Sequence, residues 1–370
     1  MRHIWCAVLC LGLLAGAVQG ESLRIATYNV DLSRRGPGLM LRDIERGEAL
    51  IAEVVATIAA AAPDVVLLTG FDYDHEGVAL AAFEALLARA GAPYPHRFAR
   101  RPNTGLATGL DMNGDGRAGD PADAQGYGRF AGADGMAILS RLPVLTSQAV
   151  DFSAFLWRDL PGAVLPQANG RPFPSDAALA VQRLSTTAHW DVPVALPGGG
   201  VLRLLAFYAT PPVFDGTEDR NGLRNAAEVD FWRAYLDGAL LWPAPEKPFV
   251  ILGDANLDPE DGDGRGTAMR ALLADPRLQD PLPASAQGRA AQGPGSPQRG
   301  DPALDTADWP GEGDAAGPGN LRVDYVLPSR GLQVLGAAVV WPAPAAMPPP
   351  ENGAPVATRH GLVWVDIAVP

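Results

Sequence analysis

The chain has two cysteines, one lysine and no long apolar run beyond its first 20 residues, and each shortage excludes something. Cys6 and Cys10 both fall within residues 1–20, where Arg2 and His3 precede an apolar run from Ile4 to Ala17 and small residues stand at Ala15, Ala17 and Gly20. That run is too short to cross a bilayer comfortably and has the make-up of a signal peptide with a cleavage site. The expectation is an exported product, periplasmic or extracellular, whose mature chain has no disulfide and is held by packing alone. No later stretch is long enough for a membrane span. Lys247 is the sole lysine, so the positive charge is almost all arginine, and with a net charge of -13 the chain lacks the basic balance of a typical nucleic-acid binder. Long polyanionic substrates are disfavoured, a local basic groove is still allowed, and a monomer is expected.

What the chain has is enough apolar material for one large core or two modest ones, at 370 residues and 47% hydrophobic content. Its 42 Gly and 35 Pro are concentrated in a few stretches, which points to long loops on a compact body. The pattern predicts a strand ending at Asn29, a helix over 42–62 stopped by Pro63, a strand over 64–69, and a helix over 78–90 closed by Gly91. This opening is that of an α/β fold. Strands are further expected at 135–140, 180–185, 190–195, 201–208 and 249–252, with helices over 225–241 and 267–274. Loops are expected at 100–134 and 284–319. The segment after 319 is too small for a core of its own, so residues 21–370 read as a single domain containing two sheets.

Four apolar runs end in polar groups: Leu23 to Asn29, Val250 to Asp254-Ala-Asn256, Arg322-Val-Asp324-Tyr, and Arg359-His360. A buried strand that ends in Asn or Asp delivers one side chain to its rim, and four such deliveries suggest one assembled site. An acid and an amide two positions apart, as in Asp254 and Asn256, suit proton removal from a water and hydrogen bonding to an anionic transition state. Taken alone, the same pair is an ordinary turn after a strand. His189-Trp190 reads as a packed aromatic beside a hydrogen-bonded imidazole, and Phe231, Trp232 and Tyr235 read as core.

Together, Ala26-Thr-Tyr-Asn29, Pro63-Asp-Val-Val-Leu-Leu, Gly135-Met-Ala-Ile-Leu-Ser-Arg141, Leu252-Gly-Asp254-Ala-Asn256, Val323-Asp324-Tyr and His360 resemble the endonuclease/exonuclease/phosphatase superfamily, whose fold is that of deoxyribonuclease I. Thr210 to Gly222 resembles a secreted bacterial branch of it. The resemblance implies a four-layer α/β sandwich, two mixed β-sheets packed face to face with helices on both outer sides. It also implies metal-assisted in-line attack of water on a phosphoester, with Mg²⁺ or Mn²⁺ as cofactor. In those terms Asn29 helps hold the metal or phosphate, Asp254 orients or deprotonates the water, and Asn256 stabilises the developing oxyanions. Asp324 fixes the tautomer of His360, which faces the scissile phosphate.

Three positions depart from the family pattern. Gly70 stands where a metal-binding Glu is implied, Tyr208 where a catalytic His is implied, and Arg359 where an acid is implied. Asp72 could replace the missing Glu only across about 6.6 Å of strand, giving Asn29, Asp72 and Asp254 as the metal set. Tyr208 can donate a hydrogen bond but cannot become an imidazolium. Arg359 would repel a cation yet could grip a phosphate, with Arg220 and Asn221 as further substrate contacts. Two readings stand: a divergent phosphoester hydrolase, or an impaired relative that binds calcium or phosphate. Asp111, Asn113 and Asp115, with Gly116 after them, resemble the start of a calcium loop. Its twelfth position is Ala122 rather than an acid, so Asp120 or Asp123 would have to close the shell.

Overall fold

The computed structural model describes residues 22–246, 248–291, 298–312, 315–342 and 357–369; residues 1–20, expected to be a signal segment, with both cysteines, and Lys247 lie outside them. In chain order the strands are β1 (Ser22–Asn29), β2 (Val65–Phe71), β3 (His96–Phe98), β4 (Gly135–Ser140), β5 (Val150–Asp151), β6 (Gln167–Ala168), β7 (Arg171–Pro172) and β8 (Ala188–Ala195). They continue with β9 (Val201–Tyr208), β10 (Phe249–Asp254), β11 (Ala307–Glu312), β12 (Ala315–Leu321), β13 (Asp324–Pro328), β14 (Val334–Val340) and β15 (Leu362–Ala368). The helices are α1 (Leu39–Arg46), α2 (Ala49–Ala61), α3 (Val78–Arg89), α4 (Asp176–Val181), α5 (Arg220–Leu236), α6 (Thr267–Leu273) and α7 (Ala286–Ala291).

Six strands form one mixed sheet in the order β14-β15-β1-β2-β4-β3, and five form a second in the order β13-β10-β9-β8-β5. Side chains alternate along each strand, so each sheet has one face for its partner sheet and one for helices. Leu23, Ile25, Val65 and Leu67 of the first sheet meet Trp190, Val192, Leu204, Val250 and Leu252 of the second in a shared core. Tyr28, Val66 and Leu68 on the first sheet's other face pack on Ile44, Ile51, Val54 and Phe83 from α1, α2 and α3. Leu205, Phe207 and Ile251 pack on Phe231, Trp232 and Met269 from α5 and α6. The result is the expected four-layer α/β sandwich. No helix among the described residues is long and apolar enough to cross a membrane.

Local departures have local causes. The helix expected over 42–62 is two helices, because Gly47 closes α1 in the left-handed region at φ 66 and donates its N–H to the Asp43 and Ile44 carbonyls. Residues 176–181 are helical instead of opening a strand at 180; Ser175 caps α4 by accepting from the Ala178 N–H. Helix α5 starts at Arg220 and ends at Leu236, five residues before the expected end on both sides. The expected loop at 284–319 contains α7 and most of the β11–β12 ribbon.

A buried charge on β8 helps pin helix α5 to its sheet. Asp191 on β8 is fully buried and accepts from Arg203 Nε at 2.8 and 2.9 Å and from the Tyr235 hydroxyl at 2.7 Å. Replacing Arg203 by Met strands that carboxylate in the interior, so Arg203→Met is expected to cost about 3 kcal/mol or more, read as a fall in the thermal or urea midpoint.

Candidate active site

The polar residues of the site arise from the same alternation that builds the core. Inward positions run Leu23, Ile25, Thr27, Asn29 on β1, then Leu202, Leu204, Ala206, Tyr208 on β9, and Val250, Leu252, Asp254 on β10. Strand β13 runs antiparallel to β10 and places Asp324 directly beside Asp254. Each series turns polar at the same end of the sandwich. His360 precedes β15, and its backbone bridges to Ala307 of the ribbon.

The side chains converge closely. Asn29 Nδ2 donates to Asp254 Oδ2 at 2.9 Å and to the Tyr208 hydroxyl at 3.4 Å, and Asp254 Oδ1 accepts from the Asn256 N–H at 2.8 Å. His360 Nδ1 stands 2.8 Å from Asp324 Oδ2, which leaves Nε2 as the ring nitrogen available to a ligand. Ligand atoms of Asp254, Asp324 and His360 all lie within 4.8 Å of one another. All three residues are buried. Burial and the charge of Asp324 push the Asp254 carboxyl well above the usual carboxylate range, against His360 and the Asn29 hydrogen bond. Burial would lower the His360 pKa, but the charge and hydrogen bond of Asp324, with Asp254 behind it, lift it to about 9.

Two acids that the sequence analysis did not single out stand beside this group. Asp134, just before β4, is pushed up to about 7 by burial and then by the charges of Asp31 and Asp72, while a Tyr208 hydrogen bond opposes the rise. Asp31, at φ 50, accepts from the Arg359 N–H at 3.1 Å. The Tyr208 phenol is held neutral by burial and by Asp134, Asp254 and Asp31. Trp309 sets its ring perpendicular to that of His360 at 5.3 Å. Asp134 was signalled by its place immediately before a strand of the motif set and Asp31 by its spacing from Asn29. Trp309 sits in a stretch without periodicity and gave no signal.

Asp72 is placed differently from the expected metal ligand. Its carboxylate accepts from the Ser33 hydroxyl at 2.7 Å and from the N–H groups of Arg34 and Asp134 at 2.9 Å each, so it clamps loops and lies outside the Asp254 cluster. At Gly70 no carboxylate can stand as the backbone is set. Its φ is +70, it is the extra residue of a bulge between β2 and β4, and a first side-chain carbon there would lie 2.5 Å from Asn29 Oδ1. A divalent cation therefore fits the donors at Asp254, Asp324 and His360, where Asp324 Oδ1 is buried without a partner, and does not fit the Gly70 corner.

The other candidates are held by loops. Arg359 is exposed, and its carbonyl accepts from the Asp308 N–H at 3.0 Å. Arg220 Nη1 donates to the Met112 carbonyl, and Asn221 Nδ2 donates to the Val213 carbonyl at 2.7 Å. In the 111–123 loop, Asp111 accepts from the Gly114 and Gly116 N–H groups and Asn113 from that of Asp115, which in turn accepts from Arg117. Asp123 gathers the N–H groups of Met112, Gly119 and Asp120. No three carboxylates converge there among the described residues. His189 is packed and hydrogen-bonded to Ser185 and the Glu228 carbonyl, as expected, with no part in the site.

His360 has a folded pKa above its free value of 6.5, so its stabilising contribution is complete below pH 6.5 and is lost as pH rises through about 9. The raised Asp254 carboxyl has the same sign at lower pH. In chelator, the thermal midpoint of the protein is expected to fall between pH 6.5 and 9, by an amount worth about 3 kcal/mol; His360→Gln should flatten that limb.

No curated protein matches the sequence. Among solved structures, an endonuclease/exonuclease/phosphatase from Beutenbergia cavernae DSM 12333 superposes with a TM-score of 0.53 at 20% identity, covering 94% of this chain and 72% of the other. Sphingomyelinase C from Streptomyces griseocarneus gives 0.50 at 20% identity over 94% and 99% of the two chains. Beta toxin 275-280 from Staphylococcus aureus gives 0.50 at 12% identity over 93% and 99%. These likenesses concern the fold. The model of the Endonuclease/Exonuclease/phosphatase family matches residues 26–360, from the strand that carries Asn29 to the histidine that closes the site, and the chain belongs to that family.

Proposed function

We propose that this chain is an exported hydrolase of small phosphoesters, with its reaction centre at Asn29, Asp254, Asn256, Asp324 and His360. The observation that carries the reading is the buried Asp254 carboxyl, held by Asn29, in register on β10 with Asp324 on β13, which in turn holds the His360 ring. Both environments raise the pKa, the imidazole's further than the carboxyl's, so between the two titrations Asp254 is ionised while His360 still carries its proton, which suits base and acid roles. Asp254, deprotonated, accepts a proton from the attacking water. His360, protonated, donates from Nε2 to an equatorial phosphate oxygen or the leaving oxygen. The second N–H of Asn256 and the neutral Tyr208 hydroxyl add donors for charge that develops on the phosphorus substituents. Arg359, exposed beside His360, lies at the entrance, where a bidentate grip on an incoming phosphate suits a guanidinium. With His360 protonated and so without a lone pair to give, the carboxylates of Asp254 and Asp324, whose Oδ1 is buried without a partner, would hold a divalent cation. Mg²⁺ or Mn²⁺ bound there would neutralise phosphate charge and polarise the scissile bond.

One observation favours a second reading, in which the fold binds phosphate or calcium without turnover: the cation corner at Gly70 is sterically closed by Asn29. Purified protein with Mg²⁺ or Mn²⁺ and bis(p-nitrophenyl) phosphate separates the two. Hydrolysis should fall about 1,000-fold in Asp254→Ala. The kcat/KM profile should rise as Asp254 loses its proton and fall as His360 loses its own near pH 9. Turnover no greater than that of Asp254→Ala leaves the binding reading. The calcium proposal for Asp111, Asn113 and Asp115 has its own check. Ca²⁺ should raise the melting temperature of the wild type and leave Asp115→Ala unmoved, and a wild-type curve indifferent to Ca²⁺ removes the site.

A further inference from the structure

The first half of α5 turns amides and carboxylates, rather than apolar groups, onto the ends of β9 and β10. Asn225 and Glu228 are fully buried there. Asn225 Nδ2 donates to the Thr210 carbonyl at 2.7 Å and to the Ala255 carbonyl at 2.8 Å. Ala255 lies between Asp254 and Asn256, and Thr210 lies two residues past Tyr208. Glu228 takes the Thr210 N–H at 2.8 Å. Two further bonds tie the strand ends directly: the Ala209 N–H donates to the Asp254 carbonyl and Asn256 Nδ2 to the Ala209 carbonyl, each at 3.0 Å.

The turn so gripped is unfavourable by itself. Asn256 stands at φ 47, a left-handed conformation that asparagine tolerates better than most side chains but that still leaves the turn in need of support from its surroundings. The grip also has a cost, because Asn225 Oδ1 is buried without a partner. Both groups facing Nδ2 are carbonyls, so the amide cannot turn over without setting oxygen against oxygen. A side chain kept only to fill space beneath a helix would not leave an acceptor stranded.

We infer that Asn225 is the positioning residue of the site: through the Thr210 and Ala255 carbonyls it fixes where β9 and β10 release Tyr208, Asp254 and Asn256. It does not touch substrate. The inference rests on the hydrolytic role proposed for that turn, and its test separates the two. Asn225→Ala is compared with Phe231→Leu, a core change on the same helix that leaves the turn's bonds intact, by hydrogen exchange and by turnover of bis(p-nitrophenyl) phosphate with Mn²⁺. Exchange at the amides of Ala209, Thr210, Ala255 and Asn256 should quicken about tenfold in Asn225→Ala beyond the control, with the sheet core unchanged. The kcat should fall about 100-fold beyond the control with KM nearly constant. If Asn225→Ala fails to fold, Asn225→Ser, which keeps a donor, takes its place in both measurements. Equal behaviour of the Asn225 variant and the control overturns the inference. A wild type without turnover defeats the hydrolytic reading instead, and the exchange pattern alone then decides whether Asn225 sets the turn.

Discussion

Everything in this site depends on keeping two carboxylates side by side inside a protein, shielded from bulk solvent. Asp254 and Asp324 occupy paired positions of β10 and β13 and are both fully buried. Like charges so placed repel in a medium that screens them poorly. The chain answers with three nearby groups: the Asn29 amide from the opposite sheet, the His360 ring, and the N–H of Asn256. Because Asn29 comes from one sheet and Asp254 from the other, the compensation works only while the sheets are packed together. The apolar interior and the polar end are thus one construction, since the core sets the sheet spacing at which the amide meets the acid.

The mouth of the site is made of long loops rich in Gly and Pro, which bury little apolar surface of their own. They are ordered by buried polar side chains that act as tethers. Arg224 on α5 donates to the carbonyls of Gln125, Arg183, Leu184 and Ser185, joining the 103–134 loop to the segment before β8. Burial lowers its pKa to about 10, with the Glu228 carboxylate opposing that fall. Asp72 joins the loop after β1 to the turn before β4 in the same manner. A buried charge that satisfies several backbone groups at once does for a loop what an apolar face does for a helix.

The sandwich was legible because strand alternation and helix spacing repeat: Leu23 to Asn29, Val65 to Leu68, Val201 to Tyr208 and Phe249 to Asp254 each show their inner face in the sequence. Asp254, Asn256, Asp324 and His360 were legible as the polar ends of those runs. The break at Gly47 was less so, since a glycine within a helical pattern is tolerated as often as it terminates one. The β11–β12 ribbon was hidden because Ala307 to Leu321 is Gly- and Pro-rich and has no alternation; its two strands pair with each other, and the bridge from Ala307 to the site comes from His360, far along the chain. The fate of Asp72 was illegible for the same kind of reason. Spacing places its side chain on a face, but only the arrival of Ser33 and Asp134 decides that its oxygens are already taken.

The bulge at position 70 limits what a substitution there could do. The backbone stands at φ +70, and Asn29 Oδ1, which receives the Asp31 N–H, fills the space that a side chain would enter. An acid introduced at that position alone would meet both a left-handed backbone and an occupied volume. Opening the corner also calls for moving residue 29, at the expense of the amide that quiets Asp254.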